Sequence, residues 1–346
     1  MAYKWVRNWL TVSIGIILSI LIFNFIVDPF EYYRKATFYK TYYDSNERYR
    51  NPGLIKNYEY SSVLIGSSMT QNFLISDLNK IIPNPIKLTA RGMSPYEINI
   101  ILNTVIKNKT NINKFLIGID ISTYFNKPES LISGAEIPYY LYDNNIYNDY
   151  KYLVNISTIK KSFNVLKKSI NFINNDPLYK YEYMFQWEHL YKNKFGIKYK
   201  DMYNELNNKN NLKLKKFIYK DAKLNFDKNI LNIIKKYPNK DYILFFPPYS
   251  ALEYIKWKKI GIFEKYIKFK KYLYNVSLKN NNLVLYDFQV ATKIILNFSK
   301  YKDLTHYNQS INTWMTDKIN KKEYMVTDSS FNNNLIIMKK NLLLEY

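Results

Sequence analysis

Short apolar runs, rich in β-branched residues and each ending in small or polar residues, alternate with longer amphipathic segments along most of the chain. The runs lie at 61–65, 86–89, 115–119, 242–246 and 283–286. Such short, continuously apolar runs are typical of strands that are covered on both faces, as in a parallel sheet. Segments with helical spacing of apolar residues lie at 95–106, 255–278 and 311–319. The alternation predicts an α/β fold built on a doubly wound parallel sheet.

The first apolar stretch is longer than any of these runs. Residues 8–27 carry no charge and, as a helix, would span about 30 Å, the thickness of a hydrocarbon core. Lys4 and Arg7 precede the stretch, so the N-terminus is expected inside. No small-residue cleavage site follows it, which favours an uncleaved signal anchor over a cleaved signal peptide. A buried core helix is the other alternative, but the polar stripe is weak, so residues 1–27 are predicted to form one transmembrane helix.

The rest of the chain is expected on the outer side of the membrane and divides by composition. Residues 28–59 are aromatic and charged, which predicts a stalk that packs on the following domain. The α/β domain is expected over 60–322. Within it, the stretch 125–225 is rich in Tyr, Asn and Lys and has few strand-like runs, so it predicts a mainly helical insertion. Residues 323–346 are predicted to form a C-terminal tail.

Composition limits the classes of partner and site. The 346 residues contain 51 Lys+Arg against 28 Asp+Glu, a formal net charge of +23 that would suggest nucleic acid or an anionic membrane surface as a partner. This charge is spread along the chain without a nucleic-acid-binding motif, as A+T-rich codons would produce, so we expect no nucleic-acid partner. The chain has no cysteine, which excludes disulfides, thiolate nucleophiles and cysteine metal sites. Since no His-x-x-x-His pair or carboxylate cluster is present either, we expect neither a metal nor another cofactor.

Candidate chemistry begins at the first predicted strand. Residues 63–73 have the sequence VLIGSSMTQNF, which predicts a buried strand, a tight glycine turn and the start of a helix. At such a turn the hydroxyl of Ser68 would lie at the carboxyl edge of the sheet, and its backbone N–H would favour developing negative charge. Ser68 is therefore a candidate nucleophile, although Gly-Ser-Ser also forms ordinary turns and helix caps.

A candidate acid and base lie near the end of the predicted domain. Asp303 and His306 are three residues apart, so the carboxylate can hold one imidazole nitrogen while the other faces a serine hydroxyl. With Ser68 they complete the order nucleophile, acid, base. Taken alone, the pair could equally form a cap or loop hydrogen bond. The other histidine, His189, has no such carboxylate and serine block and is expected to be structural.

On these blocks the chain resembles the SGNH (GDSL-like) hydrolase superfamily, in particular the membrane-anchored branch related to the D-alanyl-lipoteichoic acid protein and the alginate O-acetylation factors. The resemblance covers most of 60–320, although the matching residues lie in a few short blocks. It implies a flavodoxin-like sheet and assigns Ser68 as nucleophile, with Asp303 and His306 as acid and base. It also implies that the backbone N–H of Gly92 joins that of Ser68 in an oxyanion hole.

The third block departs from the superfamily pattern. Where the superfamily has Gly-x-Asn, this chain has Gly118-Ile119-Asp120. An ionised Asp120 accepts hydrogen bonds and cannot donate one, so we do not assign it as an oxyanion donor. It could instead orient a loop, bind an acceptor hydroxyl or cap the next segment. The loss of one such donor typically costs about 100- to 1000-fold in rate.

The resemblance implies a serine acyl-transfer enzyme with a single-pass membrane anchor, acting on a cell-surface or exported glycan from the periplasmic or extracellular side. Transfer of the acyl group to water would make it an esterase, and transfer to a sugar would make it an O-acyltransferase. The triad is the same for both. For transfer, the resemblance implies a polytopic membrane-bound O-acyltransferase as partner. The alternative is a catalytically impaired scaffold or glycan-binding protein, which Asp120 favours.

Overall fold

The computed structural model describes residues 2–44, 46–125, 127–131, 134–173, 175–196 and 218–340. The chain forms two compact units, each assembled from two segments. The anchor unit contains Met1–Glu59 and Glu136–Tyr181, and the sheet unit contains Tyr60–Ala135 and Glu182–Tyr346.

Helices lie along the whole described chain. In chain order they are α1 Ala2–Val27, α2 Glu47–Asn57, α3 Ser68–Gln71, α4 Ile75–Leu78, α5 Pro95–Asn108, α6 Tyr139–Tyr142, α7 Tyr150–Leu153, α8 Ile156–Ile170, α9 Tyr219–Phe226, α10 Asn232–Lys236, α11 Ala251–Lys259, α12 Phe263–Lys279, α13 Thr292–Ile295, α14 Gln309–Asn320 and α15 Asp328–Lys340. A π-helical turn, Asp227–Leu231, joins α9 to α10. Turns of 3-10 helix lie at Ile121–Phe125, Ile146–Asn148, Pro177–Tyr179, Tyr181–Tyr183, Glu188–Lys194, Phe288–Val290 and Phe298–Lys300.

The sheet unit is built on one parallel sheet. Within the described residues its strands are β1 Ser62–Gly66, β2 Pro85–Thr89, β3 Lys114–Gly118, β4 Asp241–Phe246 and β5 Leu283–Asp287, in the order β2-β1-β3-β4-β5. Val63 of β1 aligns with Ile86 on one side and with Phe115 on the other. Successive side chains of β1 are buried because both faces of the sheet are covered, which explains the continuous apolar runs. The predicted α/β fold with a parallel sheet is confirmed.

The carboxyl ends of the strands meet at one edge of the sheet. The strand order reverses beside β1, because β2 lies on one side of it and β3, β4 and β5 follow on the other. In open parallel sheets a crevice forms outside the carboxyl ends at such a point. Ser68 comes soon after β1, Asp120 soon after β3, and residues 247–250 follow β4. The sheet therefore brings distant parts of the sequence to one edge.

Two glycines allow the turn after β1 to pack closely on the sheet. A Cβ atom at Gly66 of β1, or at Gly118 of β3, would come within 2.6 Å of Cγ2 of Thr70. Thr70 donates its hydroxyl to the carbonyl of Ser67 at 2.7 Å, within the turn that leads into α3. A larger residue at either glycine position would therefore push against Thr70 and displace α3, whose first residue is Ser68.

The helices differ in their limits from the sequence predictions. At the start of α5, Ser94 and Glu97 form a capping box around Pro95, which satisfies the first backbone N–H groups of the helix. The segment 255–278, predicted as one helix, is instead divided between α11 and α12. The reason is a turn at Gly261, whose φ of 69° lies in the left-handed region that suits glycine. The third predicted helix lies within α14.

Helix α1 is the main feature of the N-terminal segment. Its 26 residues extend for about 39 Å at 1.5 Å per residue. Apart from the last two turns its apolar side chains are largely exposed, in contrast to those of a core helix. Among the described residues this helix is long and apolar enough to span a membrane.

The end of α1 packs within the anchor unit. The side chain of Asn24 is fully buried, and its Nδ2 donates to the carbonyl of Leu153 at 2.6 Å. Its Oδ1 accepts from Oγ of Ser162 at 2.8 Å. Farther along the chain, the buried guanidinium of Arg50 pairs with Glu31 at 2.7 Å. The contacts of Asn24 attach α1 to the segment that contains α7 and α8, whereas the pair of Arg50 and Glu31 lies between other parts of the same unit.

The stretch 125–225, predicted as one helical insertion, contributes to both units. Residues 136–181 contain α6, α7 and α8 and belong to the anchor unit. Residues 182–196 contain 3-10 turns and belong to the sheet unit. Residues 197–217 lie outside the described residues. Helix α15 lies in the stretch predicted as a C-terminal tail.

Candidate active site

Ser68 is the first residue of α3 and follows β1 with only Ser67 between them. Its side chain is half-buried, and its Oγ lies 2.9 Å from Nε2 of His306. The two residues are 238 positions apart in the chain. The contact between hydroxyl and imidazole therefore depends on the fold of the sheet unit rather than on local structure.

His306 lies on a short loop that is closed like a hairpin. Tyr301 and Tyr307 form an antiparallel bridge at its base. The tip is attached to the segment after β4, because the backbone N–H and the hydroxyl of Ser250 donate to the carbonyl of Leu304 at 3.1 and 2.7 Å. These contacts hold the imidazole at the carboxyl edge of the sheet.

Asp303 faces the other nitrogen of the imidazole. Its Oδ2 lies 2.8 Å from Nδ1 of His306, and its Oδ1 accepts from the backbone N–H groups of His306 at 2.7 Å and Thr305 at 2.9 Å. Burial raises the pKa of Asp303, but the hydrogen bonds from His306 and Thr305 outweigh burial and hold this pKa well below its usual range. An ionised carboxylate only accepts, so Nδ1 of His306 is the donor in this contact, which leaves Nε2 as the atom that can accept the proton of Ser68.

Trp187 contacts both Ser68 and His306, although nothing in the local sequence marks it as functional. Its Nε1 donates to the carbonyl of Ser68 at 2.8 Å. Its ring lies edge-on to the ring of His306, with the centroids 5.5 Å apart and the planes at 90°. The indole is buried. It therefore fixes the backbone of Ser68 and limits the movement of the imidazole.

Hydrogen bonds to two other segments hold the chain around Trp187. Oδ1 of Asn72 accepts from the backbone N–H groups of Trp187 at 3.1 Å and Glu188 at 3.3 Å. The carboxylate of Glu188 accepts in turn from the backbone N–H of Gln309, at the start of α14, at 2.6 Å. These partners are 115 to 121 residues away in the sequence, so no short-range pattern predicts the position of Trp187.

A pocket of about 180 Å³ opens beside the contact between serine and histidine. Among the described residues its lining consists of Ser68, Arg91, Trp187, Tyr191, Lys302 and His306. The Nζ of Lys302 lies 4.0 Å from the centre of the Tyr191 ring and 4.8 Å from that of Trp187. Two cations and two aromatic rings therefore surround the candidate nucleophile.

Asp120 contacts the residue before Ser68, and its carboxylate accepts hydrogen bonds. Oδ2 accepts from Oγ of Ser67 at 2.6 Å, and Oδ1 accepts from Oγ of Ser122 at 2.8 Å and from the hydroxyl of Tyr249. Burial, and then the charge of Asp120, raise the pKa of Tyr249 well above its usual value, so the phenol keeps its proton. Of the roles considered from the sequence, these contacts agree with orientation of the turn that carries Ser68. They also agree with a cap on the next segment, because Oδ1 accepts from the backbone N–H of Ser122 at 3.3 Å.

Gly92 lies in a turn before α5, and neither Gly92 nor His189 belongs to the described lining of the pocket. The turn is closed by a hydrogen bond from the N–H of Met93 to the carbonyl of Ala90 at 3.1 Å. The φ of Gly92 is 57°, which glycine adopts without strain. Its neighbour Arg91 does line the pocket, and the oxyanion role of the Gly92 N–H stays a prediction.

Comparisons with known proteins do not assign the site. No protein-family model matches the chain, and no curated protein matches it. Within the described residues, no group of three or more His, Asp or Glu side chains is placed to hold a metal ion. The chemistry of the site therefore has to follow from the positions of its own side chains.

Proposed function

We propose that this protein is a serine acyl-transfer enzyme, anchored in the cytoplasmic membrane, that modifies a cell-surface or exported glycan on the outer side. The observation that carries the proposal is the hydrogen-bond chain from Ser68 to His306 to Asp303, with separations of 2.9 and 2.8 Å. These are the groups and the order of contacts of a serine hydrolase triad. The motif resemblance to SGNH hydrolases supports the same assignment, as does a strand order that is typical of flavodoxin-like sheets.

The reaction has two steps that use the same three residues. Oγ of Ser68 attacks the carbonyl carbon of an ester while Nε2 of His306 accepts the hydroxyl proton. The bond to the alcohol oxygen then breaks, and this oxygen takes the proton from Nε2. The acyl-enzyme is next attacked by a second hydroxyl, that of water or of a sugar, whose proton goes to Nε2. The bond between the acyl carbon and Oγ of Ser68 then breaks, and Oγ takes the proton from Nε2. Asp303 stabilises the imidazolium in both steps.

Backbone N–H groups are the candidates for stabilising the negative oxygen that forms on the substrate. Ser68 is the first residue of α3, where a backbone N–H has no acceptor within the helix. The motif resemblance adds the backbone N–H of Gly92, the residue after pocket-lining Arg91, as the second donor. Asp120 does not act as a donor, because its carboxylate accepts from Ser67 and Tyr249. A site with one donor fewer is expected to be slower by about 100-fold or more.

The lining of the pocket favours a glycan that carries negative charge. Arg91 and Lys302 supply positive charge beside Ser68, although Nζ of Lys302 also lies 3.6 Å from Oδ2 of Asp303. The rings of Trp187 and Tyr191 supply flat apolar surfaces. Attachment through α1 would keep the enzyme near a membrane-borne acyl donor, which favours transfer over hydrolysis. A polytopic membrane-bound O-acyltransferase would then be the partner that delivers the acyl unit.

Covalent labelling by a serine-directed fluorophosphonate tests the proposal on the full chain in detergent. We expect the wild type to be labelled at Ser68, as located by peptide mass spectrometry, and Ser68→Ala and His306→Ala to lose the label. Ser67→Ala decides between the two adjacent serines, because its label should remain on Ser68. Ser299→Ala is the matched control, since this exposed serine lies outside the site and its loss should leave labelling unchanged.

Two results would contradict the proposal. Undiminished labelling of Ser68→Ala would show that another nucleophile reacts. Absence of labelling in the folded wild type would favour the scaffold or glycan-binding alternative.

In cells, Ser68→Ala at wild-type protein level should change the O-acyl content of the surface glycan, with a decrease indicating transfer and an increase indicating hydrolysis.

A further inference from the structure

Helix α8 of the anchor unit has an exposed stripe in which apolar and basic side chains alternate. Ile156, Phe163 and Ile170 are 68%, 61% and 84% exposed, and Lys160 and Lys167 are also exposed. With 3.6 residues per turn, these five positions fall within an arc of about 80° on one face of the helix. We call this set the α8 stripe. Apolar side chains exposed together in this way mark a surface that contacts something other than water.

The α8 stripe lies beside the last turns of α1. The ring centroid of Phe163 is 4.9 Å from that of Phe23. The neighbouring Ser162 donates to Asn24 at 2.8 Å. Both contacted residues belong to the uncharged segment 8–27 and lie within one turn of its end. If α1 spans the bilayer, Phe163 therefore lies at the level where α1 leaves the apolar region.

The basic residues of α8 indicate which kind of surface contacts the α8 stripe. Lys161 is buried and pairs with Asp44 inside the anchor unit. Lys160 and Lys167 instead flank Phe163 on the exposed face, and α8 contains no acidic residue. A helix in the headgroup region of a bilayer places its apolar side chains toward the acyl chains, while lysine stems extend so that the ammonium groups reach lipid phosphates.

We propose that the α8 stripe lies in the headgroup region of the leaflet where α1 ends, and that it binds anionic lipid there. This inference rests on the membrane attachment that the proposed function assigns to α1. One spanning helix fixes the depth of the anchor unit but leaves it free to rotate about the helix axis. The second contact would fix the orientation of the anchor unit on the membrane surface.

The absence of native cysteine permits a single-site test on the full chain. Ile170→Cys reports on the α8 stripe, Ile14→Cys reports on α1, and Leu224→Cys, an apolar side chain 52% exposed on α9, is the matched control. Each cysteine carries an environment-sensitive fluorophore, and the protein is reconstituted in vesicles of phosphatidylcholine and phosphatidylglycerol with plain or brominated acyl chains. Since bromine quenches on contact, we expect quenching at positions 170 and 14 and little at 224.

The outcomes separate this inference from the rest of the proposed function. Quenching at position 14, with position 170 no more quenched than the control, would overturn the lipid contact and leave α1 as a membrane span. Absence of quenching at both 14 and 170 would overturn the inference together with the anchor. Neither result affects fluorophosphonate labelling of Ser68, which tests the chemistry separately.

A lysine pair variant tests the preference for anionic lipid. In the Ile170→Cys background, Lys160→Gln combined with Lys167→Gln should reduce quenching in vesicles that contain phosphatidylglycerol. In vesicles of phosphatidylcholine alone the same pair should have little effect, because the zwitterionic surface does not attract lysine in this way. Equal quenching with and without the lysines in anionic vesicles would overturn the assignment of anionic lipid.

Discussion

Replacing Asp120 by asparagine tests whether this carboxylate serves as an acceptor for neighbouring hydroxyl groups. In the structure it accepts from Oγ of Ser67 at 2.6 Å, from Oγ of Ser122 at 2.8 Å and from the hydroxyl of Tyr249. These hydroxyls are divided between the two carboxylate oxygens. Asparagine offers one oxygen and one NH₂ group, so in either orientation at least one hydroxyl would face a donor.

The expected loss of stability follows from the replacement of a charged acceptor by a neutral one. Hydrogen bonds to a charged group contribute about 1.5–3 kcal/mol, and those between neutral groups contribute about 0.5–1.5 kcal/mol. If the bonds at each oxygen weaken by about 1 kcal/mol, Asp120→Asn should lower the free energy of unfolding by about 2 kcal/mol. One of these bonds holds Ser67, next to the nucleophile. We therefore also expect the rate of fluorophosphonate labelling at Ser68 to fall by about 10-fold, which corresponds to about 1.4 kcal/mol.

The assay combines denaturant unfolding in detergent with the rate of labelling. Asp241→Asn is the matched control, because Asp241 is exposed at the amino end of β4 and should affect neither quantity. The opposite expectation comes from the superfamily that the motifs resemble, in which asparagine would supply an oxyanion donor worth about 100-fold or more. Faster labelling in Asp120→Asn without loss of stability would refute the acceptor role.

Two further substitutions test the surroundings of Ser68. Trp187→Phe keeps an aromatic ring but removes the N–H that donates to the Ser68 carbonyl, so labelling should slow by about 10-fold at most, from a hydrogen bond worth about 0.5–1.5 kcal/mol. Trp314→Phe is its control, and an equal effect in both variants would exclude a positioning role. Lys87 of β2 is fully buried, and its Nζ donates to the carbonyls of Gln71 and Phe73, at the end of α3 and just after it. Burial lowers its pKa to about 7. In the unfolded chain the Lys87 ammonium keeps its proton to higher pH than in the folded protein. The free energy of unfolding of the wild type, compared with that of Lys87→Met, should therefore rise between pH 7 and 9, by at most about 1.4 kcal/mol per pH unit. Urea unfolding measures this difference in stability, and a difference between wild type and Lys87→Met that does not change with pH would contradict the prediction.

The parallel sheet could be predicted from the sequence because its strands are covered on both faces. Continuous apolar runs such as the one at Val63 are too short for a buried helix, so a strand is the interpretation that fits their length. The end of α11 could not be predicted in this way. Both α11 and α12 keep a buried apolar face, and the left-handed turn at Gly261 interrupts the helix without interrupting the apolar pattern.

The candidate site could be predicted only where a short motif carries it. Asp303 and His306 are three residues apart, and Ser68 follows a recognisable strand and turn. Trp187 belongs to no such motif, since its position is set by Asn72 and by the start of α14. Two partners of the Asp120 carboxylate could not be predicted either, because Ser67 and Tyr249 lie 53 and 129 residues away from it in the sequence.

The size of the pocket limits how a glycan could meet Ser68. Pockets that enclose a whole small ligand measure about 300–1000 Å³, whereas the described residues line a pocket of about 180 Å³. An acyl group and the hydroxyl that carries it would enter, while most of a polymer would lie outside, near exposed Arg91 and half-buried Lys302. The second acceptor would have to approach the acyl-enzyme through the same opening. Water and sugar would then compete for one route, so the balance between hydrolysis and transfer would depend on how completely the bound polymer excludes water from that opening.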